Sequence, residues 1–138
     1  MTPEKQRKAK FVRMFAAQFA TMVESGTKIQ TVRPTPKRMP KVGDKISLRC
    51  WTGKPYRSKQ RVLQSADISR VAQFRLLELS KKMCVSIDEC PLSDWDAEEF
   101  ARADGFASLT EMAQWFRSAN GLPFEGIVIY WSNFGENI

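Results

Sequence analysis

Between Val62 and Leu79, apolar and polar residues alternate over a length that restricts the possible folds. Five apolar positions share even parity, namely Ala66, Ile68, Ala72, Phe74 and Leu76. Successive side chains of a strand point to opposite faces, so this pattern predicts a long or bent β-strand with one buried face. A helix through Leu63, Ala66 and Arg70 is the alternative. We favour the strand, which commits the chain to a β-sheet.

Shorter patterns predict the other elements. Apolar residues at helical spacing predict a helix over 16–25 that ends at Gly26. A first turn rich in acids predicts a helix over 93–103, and the capping box Ser108-x-x-Glu111 predicts another that ends at Asn120-Gly121. Strands are predicted at 29–33, 45–50, 83–87 and 126–131. We therefore predict one α+β domain over 11–138, preceded by a basic mobile arm over 1–10.

The charge of the chain is unevenly distributed. The net charge is +7, but residues 1–82 carry 20 Lys/Arg and 5 Asp/Glu, a balance of +15, whereas residues 83–138 carry 2 and 10, a balance of −8. A basic majority of this size indicates a surface for a polyanion, because phosphate neutralisation drives nucleic-acid binding. The alternative is that these side chains only solvate the surface and pair with the acidic part of the chain. A protein-interaction role for the acidic helices has less support.

Composition also limits the cofactors and the location. The chain has no histidine, and Cys50, Cys84 and Cys90 lack the paired spacing of a zinc site, so we predict neither a metal nor another cofactor. Free and largely buried thiols are expected. The chain contains no run of eighteen apolar residues, and its basic start is not followed by the apolar core of a signal peptide. We expect a soluble, cytoplasmic protein with no membrane partner.

The segment from Gly26 to Arg33 places an amine, a hydroxyl and a guanidinium close together in the chain. Lys28 and Thr31 point to opposite faces of an ideal strand, so they share a site only if Lys28 still lies in the turn after Gly26. Thr31 and Arg33 have equal parity, and Arg33 is suited to binding a phosphate or carboxylate. The alternative is an ordinary hairpin with exposed cations.

The segment from Trp51 to Arg61 combines aromatic and basic residues among turn formers. Trp51 and Tyr56 are suited to stacking on a base, while four cations can contact phosphate: Lys54, Arg57, Lys59 and Arg61. The alternative for Trp51 is a purely packing role. A proline-rich loop after residue 33 adds the cations Lys37 and Arg38 as candidates. We assign five other aromatic residues to the core: Trp95, Trp115, Phe116, Tyr130 and Trp131.

The spacing G-x-K-x-x-T-x-R over Gly26 to Arg33 resembles the signature of the ASCH domain, a small family related to the RNA-binding PUA domains. The resemblance extends over roughly 11–131 through the preceding helix, the Val42-Gly43-Asp44 turn, Asp104-Gly105-Phe106 and the last apolar strand. It implies a PUA-like β-barrel of about five to six strands flanked by two to three helices. It also implies binding of RNA, other single-stranded nucleic acid or a modified nucleoside in a basic cleft between the Lys28–Arg33 and Trp51–Arg61 loops.

The resemblance also implies an alternative function as a hydrolase. In bacterial ASCH enzymes that deacetylate acetylcytidine, a lysine and a threonine of the motif act with a later glutamate. The matching residues are Lys28 as base and Thr31 as nucleophile, with the shorter acid Asp104 near the place of the glutamate. A metal-assisted ribonuclease is a second hydrolase possibility. Other carboxylates are also candidates for the acid: Glu24, Glu98, Glu99 and Glu111.

Overall fold

A computed structural model describes residues 9–132. Within this range the chain forms seven strands and three helices. The strands are β1 (Lys10–Met14), β2 (Gln30–Pro34), β3 (Lys45–Trp51), β4 (Gln60–Leu79), β5 (Lys82–Ile87), β6 (Cys90–Pro91) and β7 (Phe124–Trp131). The helices are α1 (Ala17–Ser25), α2 (Asp94–Ala103) and α3 (Leu109–Ala119). The mixed α and β architecture agrees with the predicted class.

The strands are hydrogen-bonded into one sheet with the order β1-β3-β4-β5-β6, and β7 pairs with β2 and β4. The seven strands of residues 9–132 exceed the predicted five to six. The pairings found among residues 9–132 do not return from the last strand to the first. None of the three helices is long and apolar enough to cross a membrane.

β4 is the long strand that the alternating pattern predicts. Its first part pairs antiparallel with β3, from Trp51 opposite Gln60 to Lys45 opposite Asp67, with a register shift between Leu48 and Arg49. Its last part pairs antiparallel with β5. The even-numbered apolar residues of the pattern are all buried, as the strand prediction requires.

The described residues divide into two compact units, and β4 contributes to both. Unit 1 comprises 9–29, 40–70 and 130–132, and it contains α1, β1, β3 and the first part of β4. β1 pairs parallel with β3, so that Phe11 lies beside Ile46. Both side chains are buried, together with Leu48 and Ala66. The opposite face of β3 carries Lys45, Ser47 and Arg49.

Unit 2 comprises 30–39 and 71–129, and it contains β2, β5, β6, α2, α3 and most of β7. Its core is aromatic, because Phe74 packs against Phe100, Phe116 and Phe124 with ring centroids 5.4–6.0 Å apart. α3 begins at the predicted cap, where Ser108 Oγ accepts a hydrogen bond from the Glu111 backbone. The cap supports helix initiation because it satisfies a free amide of the first turn.

Three predictions require correction. The arm predicted over 1–10 extends too far, because Lys10 begins β1 and the backbone of Lys45 donates to Ala9 O; residues 1–8 lie outside the described range. Trp95 is 71% exposed and Trp115 is 39% exposed, so neither is core, because the buried faces of α2 and α3 are formed by other residues: Ala97, Phe100, Ala101, Met112, Ala113 and Phe116. The cysteines are free, but only Cys50 is buried, while Cys84 is half-buried and Cys90 is exposed.

Candidate functional site

The tip of the β3–β4 hairpin in unit 1 carries an exposed aromatic pair. The rings of Trp51 and Tyr56 are 5.1 Å apart between centroids, at an interplanar angle of 49°. Trp51 is half-buried, whereas Tyr56 is 88% exposed and has a φ of +64°. A tyrosine rarely adopts this left-handed conformation, so the turn holds the ring outward at some backbone cost.

Side-chain hydrogen bonds brace this turn from within. The Thr52 hydroxyl donates to Lys59 O at 2.9 Å, and the Ser58 hydroxyl donates to Lys54 O at 2.8 Å. The same Ser58 oxygen accepts from the Gly53 backbone at 2.9 Å. Because the turn is fixed in this way, Tyr56 loses less conformational entropy when it binds a partner.

The predicted cations of the hairpin fall into two groups. Lys54, Arg57 and Lys59 are exposed, and within residues 9–132 none of their side chains forms an ion pair. Arg61 instead donates to Glu24 Oε2 at 2.7 Å. This hydrogen bond and the charge of Glu24 raise the pKa of Arg61 above its ordinary value. Three of the four cations are therefore available to an anion, and the fourth is already neutralised.

Arg49 is a site residue that the sequence reasoning did not select. Its Nε donates to Ser47 Oγ at 2.8 Å, and its Nη1 donates to Gln60 Oε1 at 2.9 Å. Ser47 is almost fully buried and Gln60 lies on the neighbouring strand β4, so the two hydrogen bonds hold the Arg49 guanidinium in place. The alternation of Lys45, Ser47 and Arg49 places the three on one face, but their hydrogen bonds are visible only in the structure.

Lys28 lies in the turn after α1, before β2 begins, as its proposed role requires. Gly26 ends the helix with a φ of +84°, and the Lys28 backbone donates to Met22 O at 2.9 Å. The Lys28 side chain is only 3% exposed. Its ammonium lies 5.1 Å from the ring centroid of Phe19 and 5.9 Å from that of Phe15. Cation–π attraction to these two rings stabilises the charged amine in this buried position.

Thr31 and Asp104 are buried in unit 2, each at 4% exposure. Thr31 and Arg33 share one face of β2 as predicted, since Arg33 Nε donates to Thr31 Oγ1 at 3.0 Å. Asp104 caps the end of α2, and its Oδ1 accepts from Gln30 Nε2 at 3.4 Å. Sequence reasoning missed Gln30, because a single polar residue at the start of a strand carries no distinctive signal.

The competing carboxylates have structural partners at the surface. Glu24 pairs with Arg61, and Glu99 pairs with Arg102 at 2.9 Å. Glu98 accepts from the Leu109 backbone and Glu111 from the Ala107 backbone. Asp104 is the buried member of the five predicted acids. The residues 9–132 contain no group of three or more Cys, Asp or Glu that is placed to hold a metal ion.

Charge is separated between the two units. The described part of unit 1 carries eleven Lys/Arg and three Asp/Glu, a balance of +8, whereas that of unit 2 carries eight and ten, a balance of −2. The predicted cations Lys37 and Arg38 are exposed in unit 2, in the loop after β2. The basic character of the chain therefore belongs to unit 1, which also carries the Trp51–Tyr56 pair.

Comparison of the chain with known protein families, characterised proteins and solved structures finds no match.

Proposed function

We propose that this protein binds single-stranded RNA through the tip of the β3–β4 hairpin, with Tyr56 and Trp51 stacking on a base and nearby cations contacting phosphates. The exposed Trp51–Tyr56 pair is the observation that carries the proposal. The Tyr56 side chain is 88% exposed, so burial in the core does not explain the strained backbone beneath it. Stacking on a base would use both the ring and its fixed orientation.

The unpaired cations beside this ring support an anionic partner. Lys54, Arg57 and Lys59 lie within five residues of Trp51 or Tyr56 along the chain. Surface cations that serve only solubility are usually interspersed with acids, and residues 45–66 contain no acid. Alternating aromatic and basic residues suit the sugar–phosphate backbone and unstacked bases of a single strand.

The test is a titration of fluorescein-labelled single-stranded RNA of eight nucleotides, followed by fluorescence anisotropy at several salt concentrations. The variant Arg57→Glu/Lys59→Glu removes two proposed phosphate contacts. The control Lys41→Glu/Lys81→Glu makes the same change in net charge at two other exposed lysines. We expect the first variant to lose affinity and to reduce the salt slope by about two units, roughly one per phosphate contact.

The control separates a local site from general charge attraction. The proposal predicts that Lys41→Glu/Lys81→Glu keeps most of the affinity and the full salt slope. Equal losses in the two variants would contradict it, because they would mean that the RNA responds only to net charge. Absence of binding by the wild-type protein at low salt would contradict it as well.

The proposal includes a relationship to the ASCH family, with a PUA-like barrel as the finer description of the fold. Its support is the G-x-K-x-x-T-x-R spacing together with the structural roles of these residues. Gly26 adopts the left-handed conformation that ends α1, Lys28 is buried, and Thr31 accepts from Arg33. The residues of the motif thus have defined structural roles. The exposed cations of an ordinary hairpin would not have such roles.

Hydrolysis of a modified nucleoside is the second candidate function. The observation in its favour is the buried ammonium of Lys28 on the rings of Phe15 and Phe19, since burying an amine without a function is costly. This hypothesis keeps the roles that the motif assigns: Lys28 as base, Thr31 as the nucleophile for the acetyl carbonyl of acetylcytidine, and Asp104 as the acid for the leaving amine. Water then releases acetate from Thr31.

The hydrolase hypothesis is tested by incubating the protein with acetylcytidine and measuring cytidine and acetate by chromatography. We expect Lys28→Met and Thr31→Val to abolish any turnover, and Thr31→Ser to retain it because the hydroxyl remains. Melting temperatures identify variants that fail to fold. Turnover that survives in folded Thr31→Val would contradict the assignment of the nucleophile. Products from labelled RNA in the same assay would instead indicate a ribonuclease.

A further inference from the structure

The outer face of the β1–β3–β4 sheet in unit 1 is an open surface that extends from the hairpin tip. Strand pairing aligns three rows of side chains on this face, and most of them are exposed. The rows are Lys10, Val12 and Met14 on β1, Lys45, Ser47, Arg49 and Trp51 on β3, and Asp67, Ser65, Val62 and Gln60 on β4. Trp51 belongs to this face and to the aromatic pair, so the two surfaces are continuous.

Arg49 lies in the middle row with much of its binding capacity unused. A guanidinium has five N–H donors, and two of them are occupied by Ser47 Oγ and Gln60 Oε1. The other three have no partner among residues 9–132. Because the two occupied donors fix the plane of the guanidinium, the three remaining donors have defined directions. Such a preorganised fork suits a phosphate or the edge of a base.

A shallow cavity of about 230 Å³ lies at the far end of the same face. Its polar lining includes Lys10, Lys45, Ser65 and Asp67. Lys45 Nζ donates to Asp67 Oδ1 at 2.6 Å, so one cation is neutralised. The three rows together carry the cations Lys10, Lys45 and Arg49 and the acid Asp67, a positive balance that complements a polyanion. The seven residues from Lys45 to Trp51 span roughly 20 Å at the rise of a strand.

We propose that single-stranded RNA continues from the Trp51–Tyr56 pair across this face, that Arg49 binds a phosphate or base edge, and that the RNA ends near the cavity lined by Lys45. The inference rests on the proposed function of the hairpin tip and deepens it. It predicts that the bound RNA is about six nucleotides long, with two nucleotides at the hairpin tip and roughly four along β3. This length lies within the range of single-strand binding sites on β-sheets. It also makes Arg49 a binding residue.

The test measures the affinity of oligouridylates of two, four, six and eight nucleotides by isothermal titration calorimetry. Wild-type protein, Arg49→Met and Arg70→Met are compared. Arg70 is an exposed arginine of the same unit, beside the ring of Tyr130, so its loss makes the same charge change away from this face. Melting temperatures verify that each variant is folded.

For wild-type protein and Arg70→Met, we expect affinity to rise with length up to about six nucleotides. For Arg49→Met, we expect about a tenfold loss with six or eight nucleotides and no change with two. If the wild type binds two nucleotides as well as eight, or if Arg49→Met and Arg70→Met behave alike, the sheet face is not used although the hairpin tip still is. If the wild type binds none of the four, the proposed function itself fails.

Discussion

Replacing Gly126 with alanine tests the packing that positions β2, the strand that carries Thr31 and Arg33. An ideal Cβ at Gly126 would lie well inside van der Waals contact with the carbonyl oxygen of Arg33 and 3.1 Å from Phe124 Cε2. The first neighbour is backbone in a paired strand, so it cannot rotate away as a flexible side chain would. One of the two backbones has to shift to accommodate the added methyl group.

The size of the effect follows from these contacts. Overpacking costs typically 1–3 kcal/mol, and a clash with backbone lies at the upper end of that range. The lower entropy of the unfolded alanine chain offsets about 0.4–1 kcal/mol. We therefore expect Gly126→Ala to reduce the free energy of unfolding by about 2 kcal/mol or more, and the melting temperature by roughly 6–10 °C for a chain of this size.

Two other glycines provide controls for this measurement. Gly121 has a φ of +82° with no atom within 4 Å of an added Cβ, so Gly121→Ala isolates the conformational strain, about 1–2 kcal/mol. At Gly53 the nearest atom, Ser58 Cβ, would be at an ordinary 3.4 Å, and we expect nearly unchanged stability. Urea unfolding of the three variants gives the comparison. A Gly126→Ala protein as stable as Gly53→Ala would refute the close approach of β7 to β2.

Four further predictions concern other parts of the molecule. Tyr56→Ala should weaken RNA binding by about 1–3 kcal/mol in an anisotropy titration while leaving the melting temperature nearly unchanged, because the exposed ring contributes little to the core. Trp51→Ala should mainly reduce the affinity for RNA and have a smaller effect on the melting temperature. If it mainly lowers the melting temperature instead, Trp51 is a core residue. Asp44→Ala should cost roughly 2–4 kcal/mol in urea unfolding, since the buried carboxylate accepts from the Ala9 and Lys41 backbones; an unchanged stability would contradict these bonds. The hydrogen bond from Lys82 to Asp94 raises the pKa of Lys82 above its ordinary 10.5. This pair therefore stabilises the fold below pH 10.5, and the stabilisation is lost as the pH rises through the pKa of Lys82 in the folded protein. In the Asp94→Asn variant, an NMR titration should find the pKa of Lys82 shifted back toward 10.5.

Local patterns in the sequence predict most of the elements. The strand β4 follows from alternation alone, because the five even-numbered apolar residues of the pattern, from Ala66 to Leu76, are all buried. α3 follows from its capping box and α2 from its acidic first turn, since caps depend on only a few neighbouring residues. The class of the fold follows from these elements, whereas the number of strands does not.

The errors arise where distant partners decide the structure. β1 has five residues with no clear alternation in charge, and its strand conformation depends on parallel pairing with β3, about 35 residues away. Trp95 is exposed because the packing of α2 selects the face of Ala97 and Ala101, although a tryptophan is usually a good core candidate.

The candidate site is predictable in its residue types but not in its environments. The sequence indicates an aromatic and basic loop at Trp51 to Arg61, and the hairpin exposes Tyr56 there as expected. Nothing in the local sequence distinguishes Arg61, which Glu24 neutralises, from the three cations that remain unpaired. The burial of Lys28 is equally hidden, since lysine is rarely buried and the two phenyl rings come from tertiary packing.

NMR mapping of the RNA contact tests the central claim most directly. The full chain of 138 residues is small enough for assigned amide spectra. On addition of a single-stranded RNA of eight nucleotides, the proposed function predicts the largest shifts at residues 51–61, with further shifts at Arg49 and the outer face of β3. Shifts concentrated in α2 and α3, or no shifts at any RNA concentration, would contradict the proposal that the β3–β4 hairpin binds RNA.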